Sequence, residues 1–440
     1  MATPLRIGVA GLGTVGAALV RLIANHGPAF ARRFGRPVIV TAVSARDKSR
    51  DRGLDLNAIT WFDDPVALAK SPDVDCVVEL MGGADGKAKD TVEAALSAGK
   101  SVVTANKALL AKHGNALAAL AEKNGVQLNF EAAVAGGIPV IKALRESLAG
   151  NHVERVAGIL NGTCNYILSR MELESLPFET VLADAQRLGY AEADPTFDVG
   201  GFDTAHKLAI IASLAFGTEI DADAVYVEGI ASIAPLDLRM ADELGYRIKL
   251  LGVAERTPTG IEQRVHPTMV PKTSAIAQVM GVTNAVSIAA EPVGELTLVG
   301  PGAGGNATAS SVLSDIGDIA RGLHVPAYGV AVKELEASER APMQRHEGGY
   351  YIRLSVLDRP GAAASIATRM AERQISLESI VQRKPPQRTD MAPRASEAGA
   401  VPVVLITYAT TETAIRAALD AVMADGHIAE PPQLIRIERP

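Results

Sequence analysis

The sequence predicts an α/β protein of three parts: a parallel sheet with helices on both faces, a central α+β region, and a small C-terminal unit of mixed strands and helices. Three observations carry that reading. Residues 1–104 alternate apolar strand runs with helical spacing, the rhythm of βαβ units. A glycine-rich turn, Gly11–Gly16, separates the first strand from the first helix. Residues 350–437 run strand, helix, strand, strand, helix, strand, which is the ferredoxin-like order.

In chain order, residues 5–10 form a short buried-strand run, and 14–25 show helical spacing through Val15, Leu19, Leu22 and Ile23. Residues 30–37, with three arginines, read as an insertion before the strand 38–43. Strand 74–80, helix 92–98 and strand 101–104 complete the parallel part. From about residue 131 the texture changes. A Gly/Ala-rich loop precedes Pro139 and a helix over 140–148, and a polar, acidic stretch, 189–201, interrupts a largely helical region. Alternating runs at 285–288 and 295–299 predict antiparallel sheet, and a second glycine-rich turn, 300–305, opens a helix at about 308–322. The expected division is a first domain 1–130 with a return segment at about 306–335, a central region 131–305, a polar linker 336–349 containing Pro342, and a C-terminal unit 350–437. Within that unit, residues 384–400, rich in Pro, Arg and Ala, read as a long loop.

A chain of 440 residues fits two to four domains at ~150 residues each. Aromatics are 4% with one Trp, too few for a single-strand stacking platform, and 43 basic against 50 acidic residues leave a net −7 that excludes a basic nucleic-acid binder. No stretch approaches ~18 uninterrupted apolar residues, so no membrane span is expected. Two cysteines cannot build a disulfide framework, which fits a cytoplasmic location, and Arg6 inside a short apolar run marks a first strand rather than a signal peptide.

Gly11-Leu12-Gly13-Thr14-Val15-Gly16 is a GxGxxG after a strand and at a helix start, the setting of a dinucleotide turn. Gly11 permits the turn, Gly13 lets backbone approach a pyrophosphate, Gly16 allows close helix–sheet contact, and the helix start at Thr14 and Val15 favours the anion. The second strand lacks the Asp or Glu that holds a ribose hydroxyl in NAD sites; Arg46, Lys48 and Arg50 follow instead. Cations there suit a 2′-phosphate, so NADP is expected over NAD, with a solvated charged turn as the alternative.

Thr104-Ala105-Asn106-Lys107 follows a parallel strand, on the side where ligands bind, so Lys107 reads as facing nicotinamide or substrate, or as a surface lysine. The densest polar cluster is Glu192, Asp194, Asp198, Asp203 and Lys207. Asp203 and Lys207, four apart on a helix, share a face, and a lysine beside a carboxylate can relay a proton to an alkoxide. Glu192 and Asp198 could hold an ammonium; an acidic surface loop is the alternative. Glu131, one carboxylate in an apolar glycine-containing turn, reads as a capping Glu or a cation ligand. Cys76 and Cys164 read as packing residues, and the histidines show no metal-ligand spacing.

The run Ala185-x3-Gly189-Tyr190-Ala191-x2-Asp194-Pro195-x2-Asp198-Val199-x-Gly201-x-Asp203-x3-Lys207 resembles the homoserine dehydrogenase signature at every fixed position. The likeness extends to Gly11–Gly16, 103–107, 131–139, Asn161-Gly162-Thr163 and Gly302-Ala303-Gly304-Gly305, and 350–437, with Asp358-Arg359-Pro360-Gly361, resembles an ACT domain. The resemblance implies a Rossmann-like domain, an α+β catalytic domain and a ferredoxin-like ACT domain. It implies interconversion of L-aspartate 4-semialdehyde and L-homoserine with NAD(P), on the branch toward threonine, methionine and isoleucine. By the same resemblance Lys207 is the proton donor with Asp203 beside it. Glu192, Asp198, Thr163 and Lys107 meet the substrate; Gly11, Gly13, Thr14, Val15, Gly16, Arg46, Thr104, Lys107 and Gly305 meet the cofactor. Glu131 with the carbonyls of Val134, Gly136 and Ile138 would hold a monovalent cation, sodium. A homodimer or homotetramer and a threonine effector are implied too. Asn306-Ala307-Thr308 departs from the family, where proline often precedes the threonine. Two other readings stand beside this one: an acylating semialdehyde dehydrogenase using Cys164, and a non-catalytic amino-acid sensor. Removal of the chain beyond about residue 345 is expected to leave an active enzyme that ignores threonine.

Overall fold

The computed structural model describes residues 2–343, 346–357, 359–382 and 400–438. Asp358, residues 344–345 of the expected linker and 384–399 of the expected loop lie outside the described residues.

The central strands Leu5–Ala10, Cys76–Glu79 and Ser101–Thr104 are short, almost wholly buried apolar runs, as a sheet covered on both faces requires, while the outer Thr60–Phe62 and Val38–Ser44 are partly exposed. Six strands, all parallel, stand in the order Thr60–Phe62, Val38–Ser44, Leu5–Ala10, Cys76–Glu79, Ser101–Thr104 and Leu128–Asn129. This is the doubly wound order, with the ligand crevice at the carboxyl ends of the strands.

The first helix corrects the sequence reading. It runs unbroken from Thr14 to Phe34, with Pro28 inside it and Gly35 in the left-handed region (φ 76°) behind it. Residues 30–34 are therefore its last turn and not part of an insertion. Proline inside a helix costs a hydrogen bond, and packing offsets that cost here. Phe30 and Phe34 stack at 5.8 Å, and Phe34 fills the space where a side chain at Gly317 would stand, 2.5 Å from its ring. Gly317 belongs to the helix Gly305–Arg321, which returns to lie along the first helix and buries Ala309, Val312, Leu313 and Ile316 against it.

The second sheet is antiparallel through Gly294–Pro301, Thr283–Glu291, His152–Ile159, Tyr246–Thr257 and Gly260–Pro271. The helices Gly162–Glu174 and Phe202–Phe216 pack against it. The sheet then continues into the C-terminal unit: Gln433–Ile437, Glu347–Leu357, Ala400–Thr407 and Leu377–Gln382 follow without a break. The joint is parallel, Thr268 opposite Arg436 and Met269 opposite Ile437. The unit has the expected βαββαβ order, with helices Ala362–Glu372 and Glu412–Ala424.

The expected linker is itself bound to the central region. Glu336 N donates to Gly217 O at 3.0 Å, and Ile261 exchanges backbone hydrogen bonds with Glu339 and Ala341. Charged side chains seal the joint. Arg436 grips Glu228 and Glu412, Arg264 grips Glu438, and buried Asp237 accepts from Tyr351 Oη at 2.9 Å and Arg353 Nε at 2.7 Å. Deleting the unit would remove four strands from the sheet, expose the flank of Gly260–Pro271 and leave Glu228 and Asp237 without these partners. A clean excision near residue 345, as the sequence suggests, is therefore not what this architecture offers.

Candidate active site

The glycine turn is shaped by contacts that forbid side chains. Gly11 sits at φ 108°, and a Cβ there would stand 2.5 Å from Leu80 O; at Gly16 it would stand 1.9 Å from Gly11 O. A Cβ at Gly13 would meet nothing within 4 Å. The helix behind it has no side-chain cap and no acidic residue in its first turn. An open backbone face before uncapped amides fits a dinucleotide pyrophosphate. Gly305 starts the return helix against this turn, its Cβ position 3.0 Å from Thr14 Cγ2.

Buried Ser44 occupies the end of the second strand, and Arg46 lies exposed two residues on. Sequence reasoning passed over Arg52. Its Nε donates to Leu12 O at 3.0 Å, and its guanidinium lies 5.8 Å from the Trp61 ring, with Lys48 Nζ at 5.9 Å. Arg52 thereby ties the basic loop to the glycine turn.

Across the crevice, Asn106 caps the helix Lys107–Lys123 by accepting from Leu109 N at 3.1 Å. Lys107 is the first residue of that helix, and its Nζ reaches Asp203 Oδ1 at 3.2 Å. Gly201, in the left-handed region at φ 89°, turns the chain into the helix Phe202–Phe216. On its first turn Asp203 is buried, and Lys207 Nζ donates to Asp203 Oδ2 and to Leu160 O, each at 2.7 Å. One carboxylate thus stands between two ammonium groups. Burial works against its charge; Lys207 and then Lys107 outweigh that and hold the Asp203 carboxyl well below the usual range.

Asn161 is the hub that residue-by-residue reasoning missed. It caps the helix Gly162–Glu174 through Cys164 N at 2.8 Å, and its Nδ2 donates to Asp198 Oδ1 at 2.8 Å and Asp203 Oδ2 at 2.9 Å. A cap residue followed by a glycine was the available signal. Burial pushes Asp198 up, and the Asn161 hydrogen bond opposes it.

Thr163 donates to Tyr190 O at 2.6 Å and so holds the acidic loop in place. Glu192 is exposed at the rim of that loop. Thr104 is fully buried, its hydroxyl donating to Glu79 and accepting from Asn106 N, so its side chain is committed within the fold. Burial pushes the Cys164 thiol well up, and its Sγ lies 3.2 Å from Asp198 O. That is a packing cysteine and not a poised nucleophile, which removes the basis for acyl chemistry.

Glu131 lies inside the protein, its two oxygens accepting from Ile141 N at 2.9 Å and Lys142 N at 2.8 Å. Burial and then Asp315 push it up to about 7. Among the described residues no group of three or more His, Cys, Asp or Glu side chains is arranged to hold a metal. No helix among them is long and apolar enough to cross a membrane.

A doubly wound sheet that offers uncapped amides to a pyrophosphate, beside two helices that each bring an ammonium group to one buried carboxylate, defines a nicotinamide-dependent oxidoreductase of a CH–OH group. The comparisons sharpen the class. Residues 11–131 match the homoserine dehydrogenase NAD-binding domain, 139–316 the homoserine dehydrogenase family and 350–405 the ACT domain. Homoserine dehydrogenases of Neisseria gonorrhoeae and Pseudomonas aeruginosa are 43% and 44% identical, each aligned over 99% of both chains. The crystal structure of a homoserine dehydrogenase from Thiobacillus denitrificans superposes with a TM-score of 0.91 at 41% identity, covering 99% of this chain and 98% of that one. A hyperthermophilic archaeal homoserine dehydrogenase in complex with NADPH superposes at 0.62 with 26% identity, covering 72% of this chain and 97% of its own. The chain belongs to the homoserine dehydrogenase family. It interconverts L-aspartate 4-semialdehyde and L-homoserine with NAD(P) and carries an ACT domain.

Proposed function

We propose that Lys207 moves the proton in this reaction and that Asp203 holds it in place. When bound, the nicotinamide supplies or accepts the hydride. In the reducing direction the aldehyde oxygen gains negative charge as its carbon gains hydride, and Lys207 Nζ gives that oxygen a proton. In the oxidising direction the neutral amine takes the proton back from the hydroxyl, so rising pH favours oxidation. Lys107 orients substrate from the opposite wall, while Asp198 and Glu192 meet the substrate ammonium. The observation that carries this is the single buried carboxylate between two ammonium groups at the crevice. Lys207→Ala should lower kcat by about 10²–10⁴ with NADPH binding nearly unchanged. Turnover like wild type would remove Lys207 from the mechanism.

The rest of the reading is finer. Gly11, Gly13, Thr14, Val15, Gly16, Gly305 and the Thr104 backbone hold the cofactor. Ser44 in place of an acid at the end of the second strand and the nearby Arg46 support NADP, as does the archaeal relative solved with NADPH. Sodium at Glu131, with the carbonyls of Val134, Gly136 and Ile138, is supported by an unusual turn in which buried Ala135 adopts φ 53°. Replacing sodium with choline tests it, with slower turnover expected. The ACT domain supports threonine as effector and a homodimer or homotetramer as the assembly; a threonine titration of initial rates with sedimentation of the same sample tests both. Two unpaired buried cysteines support a cytoplasmic location. The division 1–130 with 306–335, 131–305 and 350–437 is supported by the break between the parallel and antiparallel sheets, by the return helix and by the βαββαβ order of the last unit.

A further inference from the structure

The end of the fourth parallel strand carries a buried carboxylate that the mechanism above does not use. Glu79 and Thr104 are each 0% exposed, at the carboxyl ends of neighbouring strands. Glu79 Oε2 accepts from Thr104 Oγ1 at 2.7 Å; Oε1 accepts from Met81 N at 2.7 Å and Gly82 N at 3.3 Å. The network continues outward. Asn106 N donates to Thr104 Oγ1 at 3.0 Å, and Asn106 Nδ2 donates to Gly83 O at 2.7 Å.

Three facts make this more than core polarity. A buried carboxylate carries a desolvation cost that an apolar pair of the same volume would avoid. Here it accepts from three donors, which a carboxylate can do with both oxygens and a neutral amide cannot. It also ties two loops with different tasks. Loop 80–83 lies on the glycine turn, with Leu80 N donating to Ala10 O at 2.7 Å and Leu80 O beside Gly11. Loop 104–106 leads directly into Lys107, whose ammonium reaches Asp203.

We infer that Glu79 is a positioning residue: through Thr104 and Asn106 it fixes the Lys107 ammonium relative to the glycine turn. This rests on the assignment of Lys107 to the substrate crevice. The relay acts on the geometry of the reacting complex, so its loss shows in turnover and not in cofactor affinity. A displacement of about 1 Å in such a site costs up to about 10² in rate.

The experiment compares wild type with Glu79→Gln, Thr104→Val, Lys107→Ala and the Glu79→Gln/Lys107→Ala double variant. It measures kcat, the KM for L-aspartate 4-semialdehyde, the NADPH Kd by fluorescence, and the primary deuterium isotope effect on kcat. Rates are normalised to the NADPH-binding fraction, so partial unfolding does not count as lost catalysis. Glu79→Gln should lower kcat about tenfold or more with the NADPH Kd within about twofold, and the isotope effect should rise. Thr104→Val should do the same by removing the other partner, and it covers the case where Glu79→Gln fails to fold. The double variant should match Lys107→Ala within about twofold, because both act through one group. Normalised kcat and isotope effect equal to wild type in Glu79→Gln and Thr104→Val would overturn the inference, as would losses that multiply in the double variant. If Lys107→Ala itself turns over like wild type, the Lys107 assignment falls and the relay with it. If Lys107→Ala is slow while Glu79→Gln is not, the relay alone falls.

Discussion

Two buried ion clusters in this molecule use the same chemistry to opposite ends. In the crevice, Asp203 is shared by Lys107 and Lys207. Lys207 donates to Asp203 and Leu160, leaving one of the three N–H bonds of an ammonium for a ligand. At the joint between the central region and the ACT domain the cations are arginines. Arg436, 1% exposed, spends its fork on Glu228 and Glu412, with Nη1 to Glu228 Oε2 and Nη2 to Glu412 Oε1 both at 2.6 Å. Arg264, equally buried, bridges Glu262 and Glu438. A lysine is a point charge with a proton to give; an arginine in a bidentate grip is a fastener. The difference separates a site that acts from a seam that holds.

The comparison breaks first at the seam. Arg436→Ala leaves buried Glu412 and half-buried Glu228 with the more exposed Arg416 as their remaining shared cation, a change that costs up to about 3–5 kcal/mol. Denaturant unfolding should show that loss, while kcat per folded molecule stays near wild type. A fall in kcat with unchanged stability would mean that the seam also acts on the chemistry.

A third buried cation sharpens the contrast because it has no carboxylate in its grip. Lys249, 1% exposed, donates to Asn165 Oδ1 at 2.9 Å and Val279 O at 2.5 Å. Burial, then Arg247, push it down to about 7, whereas an unfolded lysine stays near ~10.4. Between those values the unfolded chain binds more protons, so stability from this group is complete above the unfolded value and is lost as pH falls toward 7. The expected slope is up to about 1.4 kcal/mol per pH unit between pH 7 and 9, and Lys249→Met should flatten it. Equal slopes in the two proteins would show that Lys249 stays charged.

The smallest effect is expected where the charge is exposed. Arg46 stands in solvent, so its contact with a 2′-phosphate is worth about 1 kcal/mol or less. Arg46→Asp should lower kcat/KM a few-fold for NADPH and leave NADH nearly unchanged. Equal losses with both cofactors would move the 2′-phosphate reader elsewhere, with Arg52 the next residue to examine.

The legible parts of this sequence were those where a short pattern decides the outcome. The GxGxxG turn, the Asp203–Lys207 helix face and the βαββαβ order all depend on neighbours within a few residues. What escaped depends on distant partners. The helix continues past Pro28 because Phe34 meets Gly317, nearly three hundred residues on. The ACT domain shares the catalytic sheet because strand Gln433–Ile437 pairs with Gly260–Pro271, which no local pattern announces. Glu79 is a single polar residue in an apolar run and Asn161 reads only as a helix cap, and the fold alone shows what they hold. Glu131 was read as a cap or a cation ligand; that its oxygens meet the amides of Ile141 and Lys142, ten and eleven residues on, shows only in the fold.

The central claim is that the charge on Asp203 organises the two lysines for proton transfer. Asp203→Asn keeps the shape and removes the charge. NADPH-dependent reduction of L-aspartate 4-semialdehyde, measured with the NADPH Kd on the same sample, tests it most directly. The account predicts a fall in kcat of about 10² or more with cofactor affinity preserved. Turnover equal to wild type would contradict it.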